Sequence, residues 1–579
     1  MTKFRWVMRP APDVDIVEHL VSSGKDFPVT LARVLALRGI KSRDSARLYF
    51  RPDLSHVHDP FLMKDMEAAA DRVIRAIDQR ERVLVYGDYD VDGTTATALM
   101  VSFLQDNGID AVYFIPHRVR DGYGLRRIGI DFAVDSGVSL IIALDCGITA
   151  HAEAAYAKDL GLDLVICDHH MAEETIPDAV AVLDPKRPDC SYPFDGLSGC
   201  GVGFKLIQAV LQKRGIPADQ ALPYLDLVAL SIASDIVPIV GENRVLMRAG
   251  LQQIRANPRL GLKKLAQATG QDLSVCDTGK IVFGIGPRIN AAGRLADARL
   301  AVDLMLTGDE LNAERLANEL ESINKDRREL DGVILKEALE DAREWASSNA
   351  LVLHRPHWHV GVIGIVASRL VERYYRPVVM LTTVEGNAKG SARSIKGFNI
   401  YEALLECAPL LSRFGGHAYA AGMTLSEENV PLLRSTLNEV AGRQLSGTIP
   451  RPDIEIDTSL HLEDLNDRFW NVLKQFAPFG PENKQPVFVS TGLSVVGHPS
   501  IVGSGHLKFK VRQSDGRNAE PFDVIGFNMH EHLPMIRSHR NDNEDLQMVF
   551  SIDQNTWNGR SSLQLRLKDV RSGADGGVE

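Results

Sequence analysis

Arg82-Val83-Leu84-Val85-Tyr86 runs directly into Gly87-Asp88-Tyr89-Asp90-Val91-Asp92-Gly93. A short, continuously apolar run reads as a strand buried on both faces. Three carboxylates at alternate positions follow it at once. Held that close they repel one another, and at neutral pH the usual remedy is one or two divalent cations. Two later apolar runs end the same way. Leu140-Ile141-Ile142-Ala143-Leu144 stops at Asp145, and Leu164-Val165-Ile166-Cys167 stops at Asp168-His169-His170. Between them, residues 94–107 have helical spacing closed by Gly108, and 111–115 are strand-like. Strands alternating with helices predict an α/β fold with a parallel sheet. Sites in such sheets form beyond the carboxyl ends of the strands, where these acids fall.

The motif Asp88-x-Asp90-x-Asp92-Gly93 also begins like a calcium EF-hand loop. That reading fails, because the twelfth loop position should be a bidentate Glu and is Leu99, and a strand rather than a helix precedes it. A fourth acid, Asp235, follows the apolar segment Ala229-Leu230-Ser231-Ile232-Ala233-Ser234. An unpaired carboxylate is costly there, and a metal is its natural partner. Imidazole combined with carboxylates suits Mn²⁺, with Mg²⁺ as a substitute. The six cysteines form no C-x-x-C pair, so neither a zinc ribbon nor a redox motif is supported. Cys146 and Cys167 read as small buried residues.

At 579 residues several domains are expected. Residues 1–60 read as a small helical region and 61–308 as the metal-binding α/β domain. A highly charged stretch, 309–345, carries Leu316, Leu320, Ile323, Leu330 and Ile334 at helical spacing, which predicts a long connecting helix. A second α/β region spans 346–448. Short alternating runs over 449–571, such as Leu507-Lys508-Phe509-Lys510-Val511, predict a small β-barrel. Residues 572–579 are expected to be a disordered tail. No apolar run is long enough to span a bilayer and no signal core follows the N-terminus, so a cytoplasmic location is expected. The net charge of −11 argues only mildly against nucleic acid, since a basic groove can coexist with acidic outer faces.

In this order the acids and histidines resemble those of the DHH phosphoesterase superfamily. The resemblance extends over about 60–570. It rests on the run 87–93, Asp121-Gly122-Tyr123-Gly124-Leu125, Leu144-Asp145-Cys146-Gly147 and Asp184-Pro185-Lys186-Arg187-Pro188-Asp189-Cys190. Gly286-Pro287-Arg288-Ile289-Asn290-Ala291-Ala292-Gly293-Arg294, Gly361-Val362-Ile363-Gly364 and Gly415-Gly416-His417 complete it. The family usually has a second glycine near Glu482, in Pro478-Phe479-Gly480-Pro481-Glu482-Asn483.

The resemblance implies a DHH-type parallel-sheet domain, a DHHA1-type substrate-binding domain and an OB-like barrel that binds nucleic acid by stacking on aromatics and by backbone charge. It also implies a single-strand-specific 5′→3′ exonuclease of recombination and repair, using two divalent ions, Mn²⁺ or Mg²⁺. Asp145 would bridge the ions, with Asp92, His169 and Asp235 completing one shell and Asp90, with or without Asp88, the other. His170 would touch the scissile phosphate or the leaving oxygen. Ser391 and Arg393 resemble a 5′-phosphate pocket, completed by Arg118 and by Arg288 or Arg294, with Asn290 in the same motif. Gly416 and His417 would contact the strand. The implied partners are single-stranded DNA, a single-stranded-DNA-binding protein and a helicase, with the enzyme a monomer. Within the superfamily, the length of the chain speaks against the shorter nanoRNA or pAp phosphatases and family II pyrophosphatases. A catalytically idle scaffold would have lost ligands that are all present here.

Overall fold

The structure is a computed structural model that describes residues 4–22, 24, 27–446, 450–514, 520–539, 546–557 and 560–573. The chain divides into two compact units, one of residues 53–450 and one of residues 1–52 with 451–579.

In the first unit, five parallel strands form the sheet that carries the acids. Their order is Ala111–Phe114, Val83–Gly87, Leu140–Leu144, Asp163–Cys167 and Ala181–Leu183. Gly87 pairs with Leu144, Leu144 with Cys167 and Cys167 with Leu183. One step further along each strand, Asp88, Asp145, Asp168 and Asp184 therefore stand in a row across four neighbouring strands. The apolar strands are covered on both faces, as their composition requires. On one face the helix Val91–Asp106 is itself enclosed, packed against the helices Gly199–Lys213 and Leu225–Ser234. Burial of Leu99, Met100, Phe103 and Leu104 contributes roughly 1.5–3 kcal/mol each. Gly93 is required at its start: a Cβ there would lie 2.4 Å from the backbone N and O of Asp88.

The long helix runs from Glu310 to Glu344 and is capped by Asp309, whose carboxylate accepts from the Asn312 N–H at 2.7 Å. Its two ends belong to different cores. Leu316 and Leu320 join the core of the parallel-sheet domain, whereas Ile334, Ala338 and Ala342 join a second core with Leu351, Val366 and Leu370. Ile323 and Leu330, expected on the buried stripe, lie where that stripe fades; Leu330 is exposed, and the buried positions there are the polar Asn324 and Asp331. Beyond the helix lies a mixed sheet ordered Arg413–His417, Ala420–Ser426, Asn387–Arg393, Val378–Val384 and Leu351–His354, in which only the last pair is parallel.

The second unit holds a barrel. Phe488–Val502, His506–Gln513, Phe522–Gly526, Arg560–Ser572 and Leu546–Trp557 pair in sequence, and Phe488–Val502 closes onto Leu546–Trp557. The N-terminal region, expected to be helical, holds three helices, Val14–Ser22, Val29–Leu37 and Arg43–Phe50, and begins with a strand. Arg5–Met8 pairs in parallel with Asp453–Ile456, and the buried Trp6 donates its indole N–H to Asp569 at 2.8 Å. Val17, Leu20, Leu31 and Leu35 share one core with Phe469, Phe488 and Phe550 of the barrel. Contacts that close over more than four hundred residues leave no local sequence signal. Asn483 anchors this junction: its Oδ1 accepts from Tyr49 Oη at 2.8 Å and from Arg38, and its Nδ2 donates to the carbonyls of Phe476 and Pro478. Glu482 takes φ 56°, the left-handed conformation that a glycine adopts without steric cost. Of the tail expected from 572, Ser572 ends a strand, paired with Leu546, and residues 574–579 lie outside the described residues. Among the described residues, no helix is long and apolar enough to cross a membrane.

Candidate metal centre

The row of strand-end aspartates converges with the starts of two helices. Asp90 caps the helix Val91–Asp106 by accepting from the Gly93 N–H at 3.1 Å. Asp92, in its first turn, points at the start of the helix Gly199–Lys213. Its Oδ2 accepts from the Gly199 N–H at 2.7 Å, and its Oδ1 from the Cys200 N–H at 2.8 Å and Ser231 Oγ at 2.7 Å. A helix N-terminus with two free N–H groups favours an anion, and Asp92 is held there with both oxygens occupied on one side. Burial and the charge of Asp90 nevertheless raise its carboxyl to about 6. Asp145 leaves its strand at φ 60°, a strained conformation for a residue with a Cβ. Gly199 permits this turn, since a Cβ on it would lie 2.6 Å from that of Asp145.

His169 decides what the cluster can hold. Its Nε2 lies 3.2 Å from Asp145 Oδ1, 3.6 Å from Asp235 Oδ2 and 3.7 Å from Asp92 Oδ2. Yet Nε2 makes no hydrogen bond, although the residue is buried. Burial and the neighbouring His170 lower its pKa to about 3, so the imidazole is neutral. A bare nitrogen facing three carboxylates requires a cation among them. Asp92, His169 and Asp235 offer ligand atoms within 4.8 Å of one another, and so do Asp88, Asp90 and Asp145. Burial and then Asp90 hold the Asp88 carboxyl well above its usual range, and its Oδ1 has no partner. Asp145, buried and facing Asp92, Asp90, Asp88 and Asp235, is also raised well above it. The donor set fits hard divalent cations such as Mn²⁺ or Mg²⁺.

Asp168 makes no such offer. Its Oδ1 accepts from the N–H groups of His169 and His170 and lies 2.7 Å from His170 Nδ1, while its Oδ2 accepts from the Ile148 N–H. It orients the triplet. Burial lowers His170, but the Asp168 carboxylate outweighs this and raises its pKa to about 9. Tyr123 Oη lies 3.1 Å from His170 Nε2, and Lys186 Nζ donates to the His169 carbonyl. Burial also raises Asp184 to about 7.

A cluster of guanidinium groups faces the acids. A Cβ on Gly293 would lie 2.2 Å from the Tyr89 carbonyl oxygen, so the helix Gly286–Leu295 rests directly on the acidic loop. Arg118 donates from Nε to the Gly293 carbonyl at 3.1 Å and lies 3.9 Å from the Tyr89 ring centroid. Arg294 donates to the Gly361 carbonyl at 3.1 Å. Burial, followed by the charges of Arg118, Arg327 and Arg393, lowers Arg294 to about 10, while Asp90 pulls the other way. Arg393 Nη1 donates to Ser391 Oγ at 3.0 Å. Both lie against the first turn of the helix Ile363–Tyr374, where a Cβ on Gly364 would come 2.9 Å from Ser391 Oγ. Arg294 thus has three other arginines as neighbours, and Arg393 with Ser391 lies against a helix N-terminus, a chemistry apt for a phosphate group. Arg288 instead pairs with Glu321 of the long helix at 2.7 Å. Asn290 is half-buried on the same helix as Arg294, and Gly416 and His417 stand exposed on the edge strand Arg413–His417.

Sequence reasoning passed over Tyr123, Lys186, Ser231 and Arg327. The first two lie inside motifs already quoted, but their role appears only in three-dimensional pairings. Arg327 was hidden in a charged helix, where one more arginine carries no signal. In the barrel, Phe509 is buried in the core, while Lys508 and Lys510 face outward.

Comparison with known proteins accords with this architecture. The DHH family N-terminal domain matches residues 82–232, the DHHA1 domain 347–443 and the RecJ OB domain 456–569. The single-stranded-DNA-specific exonuclease RecJ of Bacillus subtilis is 38% identical over 98% of this chain and 71% of its own. The Escherichia coli protein of the same name is 32% identical over 96% and 98%. The crystal structure of Thermus thermophilus RecJ in complex with Mn²⁺ superposes with a TM-score of 0.83 at 29% identity, covering 98% of this chain and 79% of that one. A second structure of that protein holds Mg²⁺. With its barrel, its two α/β domains and its strand-end acids all accounted for, the chain belongs to the RecJ family of single-stranded-DNA-specific exonucleases.

Proposed function

We propose that this chain hydrolyses single-stranded DNA from its 5′ end, releasing 5′-mononucleotides. The observation that carries this reading is the pairing of an acidic centre around His169 with a neighbouring cluster of arginines. Asp145 would be shared between two ions, with Asp92, His169 and Asp235 on one and Asp88 and Asp90 on the other. When bound, two such cations would lower the pKa of a coordinated water and stabilise charge on the phosphoryl oxygens. The protein's own groups supply the rest. The helix N-terminus at Gly199 and Cys200 fixes Asp92, and Asp168 fixes both histidines. His170, held protonated near neutral pH by Asp168, is the group that would meet the scissile phosphate and hand a proton to the departing 3′-oxygen. Arg118, Arg294, Arg393 and Ser391, with Arg327 beside them, would grip a terminal 5′-phosphate. A 5′-phosphate pocket one nucleotide from the metals would give both exo action and direction.

The long helix joins the two lobes of this unit across its polar middle third, and a narrow passage between those lobes would admit one strand and exclude a duplex. The proposed setting is recombination and repair, as a monomer beside a single-stranded-DNA-binding protein and a helicase that expose the strand. The test is an oligonucleotide labelled at either end. It should be shortened from the 5′ end in Mn²⁺ or Mg²⁺, a blunt duplex should be largely spared, and Asp145→Ala should abolish turnover while keeping the fold. Digestion from the 3′ end, or full activity in Asp145→Ala, would overturn the reading.

A further inference from the structure

Ile236, the residue after Asp235, has a left-handed backbone, φ 61°. Nine non-glycine residues among those described have a positive φ, and Ile236 is the one whose side chain branches at Cβ. For a branched side chain this conformation is an outlier, because Cβ crowds the following carbonyl. Packing does not offset that cost, since the residue is 68% exposed. An exposed isoleucine alone is ordinary. A turn needed only to aim Asp235, however, would be made with less strain by glycine or asparagine. A side chain that is strained and yet unpacked points to a contact outside the chain.

Its surroundings indicate which contact. Asp235 Oδ2 lies 3.6 Å from His169 Nε2, so Ile236 stands one residue from the acidic centre. The helix before it is held firmly. Ser231 Oγ donates to Asp92 Oδ1 at 2.7 Å, and a Cβ on Gly286 would lie 2.9 Å from Ser234 Oγ. Met171, directly after His170, is also exposed, so this side of the centre is apolar at its rim. The arginines lie toward the other side. Asp90 is the acid that acts on Arg294, whereas the cations that act on Asp235 are His170 and Lys186. A strand whose 5′-phosphate lies among the arginines therefore crosses the centre from Asp90 toward Asp235. Its second nucleotide then reaches Ile236, with the sugar as the part nearest the scissile phosphate. Deoxyribose offers an apolar C2′ methylene to such a surface. Ribose would bring a hydroxyl that finds no partner on an isoleucine.

We propose that Ile236 is a specificity-determining residue: it packs against the deoxyribose of the second nucleotide and disfavours a 2′-hydroxyl there. The inference rests on the exonuclease reading above and deepens it, assigning selection of the sugar to one side chain beside the metal ligands.

The test uses the full-length protein in Mn²⁺ and short 5′-phosphorylated strands, with release of the first nucleotide read in a single turnover. One strand is all deoxyribose, and two others carry a single ribose, at the second or at the fourth nucleotide. In the wild type, ribose at the second nucleotide should slow release roughly 10- to 100-fold, the range for a hydroxyl met by an apolar surface. Ribose at the fourth should not slow it. Ile236→Asn should bring the factor to about 3 or less, because an amide can pair with the hydroxyl. Ile236→Val, still apolar and branched, should keep it. Asparagine tolerates the left-handed backbone, so Ile236→Asn should melt no lower than the wild type in EDTA. A wild-type factor near 1, equal slowing by ribose at the fourth nucleotide, or an unchanged factor in Ile236→Asn overturns the assignment, even where the all-deoxyribose strand is degraded normally. So does an Ile236→Asn protein that melts several degrees lower, since the side chain then supports the fold. Failure of the wild type to cut the all-deoxyribose strand from its 5′ end removes the exonuclease reading instead, and the assignment with it.

Discussion

Replacing Asp235 by asparagine should make the metal-free protein more stable. Asp235 follows the helix Leu225–Ser234 and directs Oδ2 toward His169. Burial, with the charges of Asp92 and Asp90, raises its carboxyl to about 8 from an ordinary 3.8. At 1.36 kcal/mol per pH unit, an isolated group displaced this far forfeits ~5–6 kcal/mol. The side chain is 28% exposed and the acids titrate together, so about half of this, ~2–3 kcal/mol, should be felt. The direction follows from linkage. The native carboxyl stays protonated while the unfolded one ionises, so stability is lost as pH rises from about 4 to about 8. Asparagine removes that loss. Calorimetry in EDTA should show the two proteins alike near pH 4 and the variant melting ~3 °C higher at pH 8. Excess Mn²⁺ should reverse the order: at a hundredfold excess over Kd, the wild type gains ~2.7 kcal/mol that a variant lacking a ligand does not. A variant no more stable than the wild type at pH 8 in EDTA would refute the account of mutual repulsion.

Arg393→Ala should raise KM for a 5′-phosphorylated strand by roughly 10- to 150-fold, the worth of a charge-assisted hydrogen bond, and affect a 5′-hydroxyl strand less. Asp168→Asn should remove the group that holds His170 near 9, so the alkaline limb of the pH–rate profile, set by loss of the imidazolium, should move from about 9 toward 6.5. Glu482→Gly should leave activity unchanged and raise the melting temperature of the barrel unit, by up to about 1 kcal/mol of stability, because it relieves a left-handed glutamate.

The acids were legible because each sits at the end of an apolar run, and parallel register carries equivalent positions of neighbouring strands to one edge. Spacing alone thus placed Asp88, Asp145 and Asp168 together. The same logic could not separate their tasks. Asp168 turns both oxygens to backbone N–H groups and to His170, a choice made by the turn at Ile148 and not by any local pattern. Phe509 shows a different limit. Alternation identified the strand but left open which of its faces is the core, and Phe509 is the buried one. Arg288 and Arg294 share one motif and one helix, yet Glu321 engages the first and leaves the second beside Arg118 and Arg393. The pairing of Arg5–Met8 with Asp453–Ile456 lay beyond local reading altogether.

That last pairing bears on how the protein is made. The N-terminal strand and helices finish their core only with residues that emerge four hundred positions later, and the catalytic unit is an insertion within the other. At 5–20 residues per second, translation of that insertion takes roughly 20–80 s. Throughout that interval Trp6, Leu31 and Leu35 have no barrel to cover them. The catalytic unit is complete at Pro450, well before its neighbour can close, so nascent chains pass through a stage with an assembled acidic centre and an apolar N-terminal segment in need of shelter.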